Sequence, residues 1–164
     1  MIRALIVAMM VVFLDGNPEQ PSPQPTIDQT EMACLADNVY FEARGEPVKG
    51  KTAVAYVTLN RVQSINYPKT ICGVVHDGLT TRAGTPIKNR CQFAWWCDGI
   101  KDVVHDREAW ADSMEIAQNA IEDYSLENDP THGATHFHTT SIYPGWKDVK
   151  KTIKIGHHVF YKEA

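Results

Sequence analysis

The sequence predicts an α+β domain in which helices come first and a small antiparallel sheet closes the chain. Apolar residues recur with helical spacing over residues 28–43, 48–62 and 106–123. Short segments rich in β-branched and aromatic residues fill about the last 30 positions. This order of helices and then strands is typical of the α+β class. A chain of 164 residues, 43% of them hydrophobic, suffices for one domain with a sizeable core.

The N-terminal residues are predicted to lie outside this domain, which is placed at residues 28–164. An uncharged apolar run of 11 residues at 4–14 suits the core of a signal peptide. The run is short for a spanning helix, which needs about 20 residues. Residues 1–15 are therefore interpreted as a signal peptide or a weak anchor for transient membrane association, with a buried helix as the alternative. The Pro-rich residues 16–27 are interpreted as a linker.

The first helix has clear start and stop signals. Asp28 or Thr30 can cap its N-terminus, and the helix is expected to run to about Ala43. Gly45 and Pro47 then prevent its continuation.

The second and third helices are defined in the same way. The second is predicted from about Val48 to Val62, and it carries Asn60 beside its apolar face. Its apolar positions include Ala53, Val54, Val57 and Val62. Asp106 can cap the third helix, which is expected to end around Asp123. The apolar stripe of the third helix is predicted to contain Trp110, Met114, Ala117 and Ile121.

The remaining segments are one loop region and three strands. Residues 64–100, with scattered Gly, Pro and Asn, are predicted to be an irregular functional loop held by a disulfide. Residues 134–139, 151–155 and 157–162 are predicted to form antiparallel strands.

Charge and motifs exclude some function classes. The formal net charge is −4, which argues against a nucleic-acid partner. The sequence also contains no Gly-rich phosphate-binding motif and no internal repeat.

Four cysteines fit an exported protein with two disulfides. Three connectivities are possible. The short local loop between Cys91 and Cys97 is favoured, which leaves Cys34 to pair with Cys72. Four reduced thiols in a cytosolic protein are the alternative. Zinc ligation is disfavoured because no C-x-x-C pair occurs.

Glu42 is the leading catalytic candidate. With Leu35 and Val39 it shares one face of the first helix, so a carboxylate lies on the face that should meet the core. It also lies near the helix C-terminus, where the dipole disfavours negative charge. Both effects favour the protonated acid that glycosidic bond cleavage requires. Glu46, four residues later, is interpreted as a capping or surface residue.

An aromatic loop at residues 89–99 is the second candidate feature. Aromatic rings stack on the apolar faces of sugars, and an amide such as Gln92 hydrogen-bonds hydroxyl or acetamido groups. Phe93, Trp95 and Trp96 lie between two cysteines. The alternative is a stapled turn that buries its rings, so we expect one aromatic inside and another facing a cleft.

Histidines form the third candidate feature. On a strand, His136 and His138 point to the same face, as a zinc pair would. No H-E-x-x-H motif or clear further ligand completes a site. Hydrogen-bonded strand histidines are therefore preferred over a metal site, and no cofactor is expected.

Several ordered motifs together resemble the SleB-type cell wall hydrolases, the spore cortex-lytic family. NVYFEARGEPVKGKTAVAYVTLNRV resembles the family signature, and CQFAWWCDG looks like its CQFS-type loop. GATHFH and IGHHVFYK resemble its C-terminal strands. The likeness covers about residues 31–162. Ala94 departs from the Ser that many members carry, and the cysteines with the export-like N-terminus look more like Gram-negative or phage members.

The resemblance implies a lysozyme-like catalytic domain that acts on peptidoglycan. Glu42 matches the family's catalytic acid, and Gln92, Phe93, Thr135 and His136 match cleft positions. The expected protein is an exported, periplasmic or extracellular monomer.

The expected activity is that of a lytic transglycosylase that forms 1,6-anhydro products. Trp95, Tyr143 and Trp146 are expected to line the glycan cleft. The alternatives are a muramidase, a zinc-dependent amidase or peptidase, and a non-catalytic glycan-binding module.

Overall fold

The described part of the computed structural model spans residues 28–164, and the predicted leader and linker at residues 1–27 lie outside it. Its helices are α1 Gln29–Ala43, α2 Val48–Gln63, α3 Ile71–Val75 and α4 Arg107–Glu122. Its strands are β1 Gly78–Thr80, β2 Pro86–Cys91, β3 His136–Thr139, β4 Val149–Ile155 and β5 His158–Glu163. A 3₁₀ turn covers Ala94–Cys97. The predicted α+β class is confirmed.

The three long helices begin where their capping residues predict. Of the two candidate caps of α1, Asp28 is the one used, since its Oδ1 accepts from the Thr30 amide at 2.8 Å. Asp106 caps α4 by accepting from the Ala109 amide at 3.0 Å. Pro47 occupies the N-cap position of α2. The Asp28 and Asp106 caps satisfy backbone donors that the first helical turn leaves free.

The prediction that residues 64–100 are irregular is wrong, because they contain α3, a β1–β2 hairpin and the 3₁₀ turn. Helix α3 has only five residues, too few to show a helical period. Strand β2 is exposed along nearly its whole length, so it lacks the alternation of a half-buried strand. Thr70 caps α3, and the Glu31 carboxylate of α1 accepts the Cys72 amide at 3.2 Å.

The helical core forms where α1, α2 and α4 pack together. Leu35 and Val39 of α1 are fully buried there. The predicted stripe of α4 is partly wrong, because Trp110, Met114 and Ile121 are only half buried. The buried face of α4 instead consists of Ser113, Ile116, Ala117 and Ala120. Three of these four residues are small, which lets α4 approach α1 closely.

The C-terminal sheet has the strand order β3-β5-β4, and both pairs are antiparallel. The three predicted strands are confirmed. Phe160 of β5 is fully buried and packs with Ala53 and Val57 of α2. This contact holds the sheet, including the start of β3, against α2.

Two disulfides connect these elements in the pairs favoured from the sequence. Cys34–Cys72 joins α1 to α3, and Cys91–Cys97 joins the end of β2 to the 3₁₀ turn. The second bridge fixes the aromatic loop directly beside the hairpin.

Candidate active site

Glu42 is the next-to-last residue of α1 and projects from the helix face that Leu35 and Val39 bury. Burial raises the pKa of its carboxyl from 4.5 to about 7, although the positive charge of Arg61 acts in the opposite direction. Burial excludes the water that would stabilise the carboxylate, so the neutral acid is favoured. No group within residues 28–164 donates a hydrogen bond to this carboxyl. Its proton is therefore available to a ligand.

Arg61 connects several of the predicted site residues, and the sequence reasoning missed it. Its Nε donates to the carbonyl oxygen of Thr135 at 2.7 Å. Its guanidinium carbon lies 4.9 Å from the ring centroid of Phe93 and 5.2 Å from that of Tyr67. Phe93 and Thr135 therefore both contact the guanidinium whose positive charge opposes the rise in the pKa of Glu42. The available signal was the position of Arg61 four residues after Val57, which places a cation on a buried helix face.

Thr135 and His136 form the sheet side of the site. The Thr135 hydroxyl is hydrogen-bonded to His136 Nδ1 at 3.0 Å, and the Thr135 amide donates to the Tyr161 carbonyl at 2.9 Å. Burial lowers the pKa of His136, and the nearby Arg61 charge lowers it further. The imidazole is therefore neutral at pH 7. Its ring meets Trp146 edge-on, with centroids 5.3 Å apart.

A buried polar network around Asn60 fixes the turn that precedes Thr135. The Asn60 amide nitrogen donates to Asp129 Oδ2 and to the Ala134 carbonyl, each at 2.9 Å. Its oxygen accepts from the Tyr124 hydroxyl at 2.9 Å. The sequence indicated only that Asn60 lies beside an apolar face. The partners come from residues 64 to 74 positions away, so local pattern could not identify them.

The aromatic loop is tied to the helix that carries Glu42. Trp95 Nε1 donates to Asn38 Oδ1 at 3.0 Å, and Asn38 also donates to the Thr58 hydroxyl at 3.1 Å. The Trp95 ring stacks on Phe41 with centroids 4.6 Å apart. Phe93 of the same loop is 2% exposed, whereas Trp95 is half-buried. One aromatic therefore packs inside and another stays accessible.

A groove of about 460 Å³ lies beside the C-terminal end of α1. Phe41 and Trp95 line it, together with Arg44 and residues 98–106. Its volume lies within the usual range for small-molecule sites. Glu42 does not line this groove, because neighbouring residues of a helix project in directions about 100° apart.

Glu46 is separated from Glu42 by the end of the helix. Its carboxylate accepts from the His157 amide and contacts His157 Nδ1, both at 2.9 Å. Although burial opposes it, these hydrogen bonds and the nearby histidine charges hold the pKa of Glu46 below its usual value. Glu46 therefore joins the α1–α2 connection to the β4–β5 turn, which is a structural contact.

The other predicted site residues lie farther from this cluster. Gln92 is exposed, and its backbone N–H donates to the Asp77 carbonyl at 2.9 Å. Tyr143 is 90% exposed in the connection between β3 and β4. Both rings of the histidine pair contact Trp146, and His138 Nε2 is hydrogen-bonded to the Tyr161 hydroxyl at 2.9 Å.

Metal-binding and membrane-spanning features were sought over residues 28–164. In that range, no three His, Cys, Asp or Glu side chains are grouped as a metal site would require. Nor does any helix there combine the length and apolarity needed to cross a membrane.

A half-buried acid with a raised pKa, on an α+β scaffold that also carries an aromatic groove, is typical of enzymes that cleave glycans. Comparison with known proteins identifies the family. The profile of the cell wall hydrolase family matches residues 45–161, and the chain belongs to this family. The match begins three residues after Glu42, so the role of Glu42 rests on the geometry and on the motif around it.

Curated relatives carry the name spore cortex-lytic enzyme. The protein from Oceanobacillus iheyensis is 33% identical over 149 residues, which cover 90% of this chain and 46% of that protein. The protein from Halalkalibacterium halodurans is 31% identical, with 89% and 39% covered. The chain thus spans less than half the length of these two relatives.

Solved structures of SleB catalytic domains share the fold. The Bacillus cereus domain aligns with a TM-score of 0.61 and 29% identity, covering 85% of this chain and 94% of that domain. The catalytic domain of the germination-specific lytic transglycosylase SleB from Bacillus anthracis aligns with a TM-score of 0.62 and 28% identity. That alignment covers 85% of this chain and 99% of the domain. The predicted lysozyme-like α+β fold is the one these domains have.

Proposed function

We propose that this chain cleaves peptidoglycan glycan strands between N-acetylmuramic acid and N-acetylglucosamine, as a lytic transglycosylase with Glu42 as its acid and base. The observation that carries the proposal is the Glu42 carboxyl, half-buried, without hydrogen-bond donors among residues 28–164 and with a pKa of about 7. The names of the relatives support the substrate class, and the name of the Bacillus anthracis domain, a lytic transglycosylase, supports the reaction type.

Glu42 has the protonation state that the first step needs. A general acid works best when its pKa lies near the working pH, because much of it is then protonated and it is still acidic enough to transfer the proton. Glu42 would transfer its proton to the glycosidic oxygen as the bond between C1 of muramic acid and that oxygen breaks. The leaving sugar departs with a new hydroxyl, and Glu42 is left as a carboxylate.

The second step reverses the proton transfer. The Glu42 carboxylate would take the proton of the 6-hydroxyl of the same muramic acid while its oxygen bonds to C1. This closes a 1,6-anhydro ring and restores the neutral acid. No external water is consumed, and all atoms and protons balance within the substrate and one side chain.

The absence of a carboxylate partner for Glu42 supports this route. A retaining glycosidase places a second carboxylate about 5–5.5 Å from its acid. Among the described residues, Arg61 is the charged group that perturbs Glu42, and no carboxylate does so. Glu46, the nearest acidic residue along the helix end, is held by His157.

Two aromatic surfaces of the domain suit a sugar polymer. Trp95 and Phe41 line the groove at the end of α1, while Trp146 covers His136 at the start of β3. Rings of this kind pack against the apolar faces of sugars. The two disulfides fit a protein that is exported from the cytoplasm, and peptidoglycan also lies outside the cytoplasm.

The decisive experiment is mass spectrometry of purified peptidoglycan after digestion by the wild type, Glu42→Gln and the matched control Glu46→Gln. The wild type and Glu46→Gln should release 1,6-anhydro muropeptides. Glu42→Gln should be slower by about 100-fold or more, because the acid is lost. Reducing-end products from the wild type would instead identify a muramidase, in which water attacks.

Other outcomes would point to the remaining alternatives. Full activity in Glu42→Gln would reject the assignment of the acid. Activity that disappears with a chelator and returns with zinc would indicate the amidase or peptidase. Binding of glycan without cleavage by any variant would indicate a binding module.

A further inference from the structure

Arg61 is a buried cation without a carboxylate partner in the described part of the chain. It is 4% exposed, and the ion pairs within residues 28–164 are Lys51–Asp112 and Glu46–His157. Its Nη1 is buried and has no hydrogen-bond partner. Burying a charge and leaving one of its donors unused is costly, so this arrangement calls for a reason.

The neighbours of Arg61 hold the guanidinium in place without using Nη1. Its Nε donates to the Thr135 carbonyl at 2.7 Å. The rings of Phe93 and Tyr67 lie within 4.9 and 5.2 Å of the guanidinium carbon. A fixed guanidinium plane with a free donor needs no rearrangement when an acceptor becomes available.

Glu42 has the complementary deficiency. Its carboxyl lacks any hydrogen-bond donor among the described residues, and its charge and that of Arg61 act on one another. Glu42 and Arg61 form no ion pair in the resting site, although the charge of each shifts the pKa of the other. A carboxylate formed at Glu42 would be the missing partner of that cation.

We propose that Arg61 is a positioning residue that receives the Glu42 carboxylate after the acid has delivered its proton, and releases it when a proton returns. The inference rests on the proposed function of Glu42. Arg61 stays protonated throughout, so the proton moves only between Glu42 and the substrate. The ion pair forms while the glycosidic bond is broken, which stabilises the charge where it develops.

The other charged and titratable groups around Arg61 come from four elements. Asp77 follows α3, Tyr67 follows α2, His136 belongs to β3, and Glu163 of β5 acts on both Tyr67 and His136. Burial raises the pKa of Tyr67, and burial together with the Arg61 charge lowers the pKa of His136. Both shifts move the pKa of the group away from 7, whereas burial moves the pKa of Glu42 to about 7.

The test follows the titration of the Glu42 side-chain carboxyl by carbon-13 NMR in the wild type, Arg61→Met and Arg61→Lys. The Glu42 midpoint should lie near pH 7 in the wild type and rise by about one unit or more in Arg61→Met. Arg61→Lys keeps the charge and should stay close to the wild type. Lys51→Met, which removes a similarly buried but ion-paired cation from α2, should leave the midpoint unchanged.

Peptidoglycan cleavage by the same proteins distinguishes a positioning role from a structural one. Arg61→Met should lose about 100-fold in kcat with little change in KM, and its alkaline limb should move to higher pH. Arg61→Lys should recover part of the rate. An unchanged Glu42 midpoint in folded Arg61→Met would overturn the inference.

The wild type itself provides a measurement that does not depend on the folding of a variant. The Arg61 guanidinium nitrogen-15 signals should shift with the same midpoint as the Glu42 carboxyl. Signals that stay constant while Glu42 titrates would refute the contact. Coupled titration together with full activity in Glu42→Gln would instead retain the contact and reject the proposed function of Glu42.

Discussion

Glu42→Gln should stabilise the protein at alkaline pH, even though it should slow catalysis by about 100-fold or more. The carboxyl has a pKa of about 7 in the folded chain and 4.5 as the reference value. The folded state therefore holds this proton more tightly than the unfolded chain does. The free energy of unfolding falls as pH rises from about 4.5 through 7, because ionising Glu42 costs more in the fold than outside it.

The size of the effect follows from the difference between the two pKa values. The interval from 4.5 to about 7 is roughly 2.5 units, and each unit corresponds to about 1.4 kcal/mol, so the cost is about 3 kcal/mol at pH 8. A glutamine has no proton to lose and avoids this cost. Glu42→Gln should therefore match the wild type within about 1 kcal/mol at pH 4 and exceed it by about 3 kcal/mol at pH 8.

Urea denaturation at pH 4 and pH 8, monitored by tryptophan fluorescence, measures this difference without any substrate. Glu46→Gln is the matched control, because the His157 contacts hold the pKa of Glu46 below its usual value. Because the pKa of Glu46 is lower in the folded chain, its ionisation stabilises the fold at pH values above its pKa in the unfolded chain. This stabilisation is lost as the pH falls through the folded-state pKa. Glu46→Gln should therefore lower the free energy of unfolding at pH 8. A Glu42→Gln variant that is no more stable than the wild type at pH 8 would refute the reasoning.

Two further predictions concern stability. Replacing Cys34 and Cys72 by alanine should reduce the free energy of unfolding by about 4 kcal/mol, whereas replacing Cys91 and Cys97 should reduce it by about 2 kcal/mol. The bridges close loops with sequence separations of 38 and 6, and the longer loop restricts the unfolded chain more. Chemical denaturation of the two double variants checks this, and a larger loss for the shorter loop would contradict it. Asn60→Ala should lower the free energy of unfolding by about 3 kcal/mol in the same assay, because it leaves the Ala134 carbonyl and the Tyr124 hydroxyl without their partner. Asp129 loses one donor but keeps the Gly133 amide. A loss below about 1 kcal/mol would show that water replaces the amide.

The elements that the sequence predicted well are those with strong local signals. Asp28 and Asp106 cap α1 and α4, and Pro47 ends the first helical pattern directly before α2, so the three long helices begin where expected. The C-terminal strands followed from their β-branched and aromatic residues. In these segments, local preference and tertiary packing favour the same structure.

The elements that were missed depend on tertiary contacts. Helix α3 is stabilised by the Glu31 carboxylate of α1, and the exposed strand β2 has no buried face to give it a period. The stripe of α4 was placed on large residues, but close approach to α1 favours Ser113 and three neighbouring apolar positions. Hydrophobicity alone does not reveal how near two helices come.

The candidate site was predictable at its acid and not at its cation. Glu42 stands out as a carboxylate on an apolar face, and this signal is local. Arg61 lies on a comparable face, yet its partners Thr135 and Phe93 are distant in sequence. A buried cation can be explained only when the carbonyl and the rings around it are known.

The contrast between Glu42 and Glu46 follows from where α1 ends. Because the helix extends to Ala43, Glu42 remains on its buried face and has a raised pKa. Glu46 lies beyond the helix and reaches the β4–β5 turn, where His157 lowers its pKa. Gly156 of that turn has φ +56 and closely approaches the Glu46 carboxylate, so a side chain there would collide with it.

Helix α1 also makes covalent and hydrogen-bonded contacts that offset the free-energy cost of desolvating Glu42. Cys34 binds α1 covalently to α3, Asn38 connects it to α2 and to the aromatic loop, and Glu46 secures the chain just beyond its end. The stabilisation expected from the Cys34–Cys72 bridge, about 4 kcal/mol, is comparable to the cost of about 3 kcal/mol at Glu42. These contacts hold α1, which carries Glu42, in place. The carboxyl therefore retains its proton up to a pH near its pKa of about 7, and the proposed reaction needs that proton.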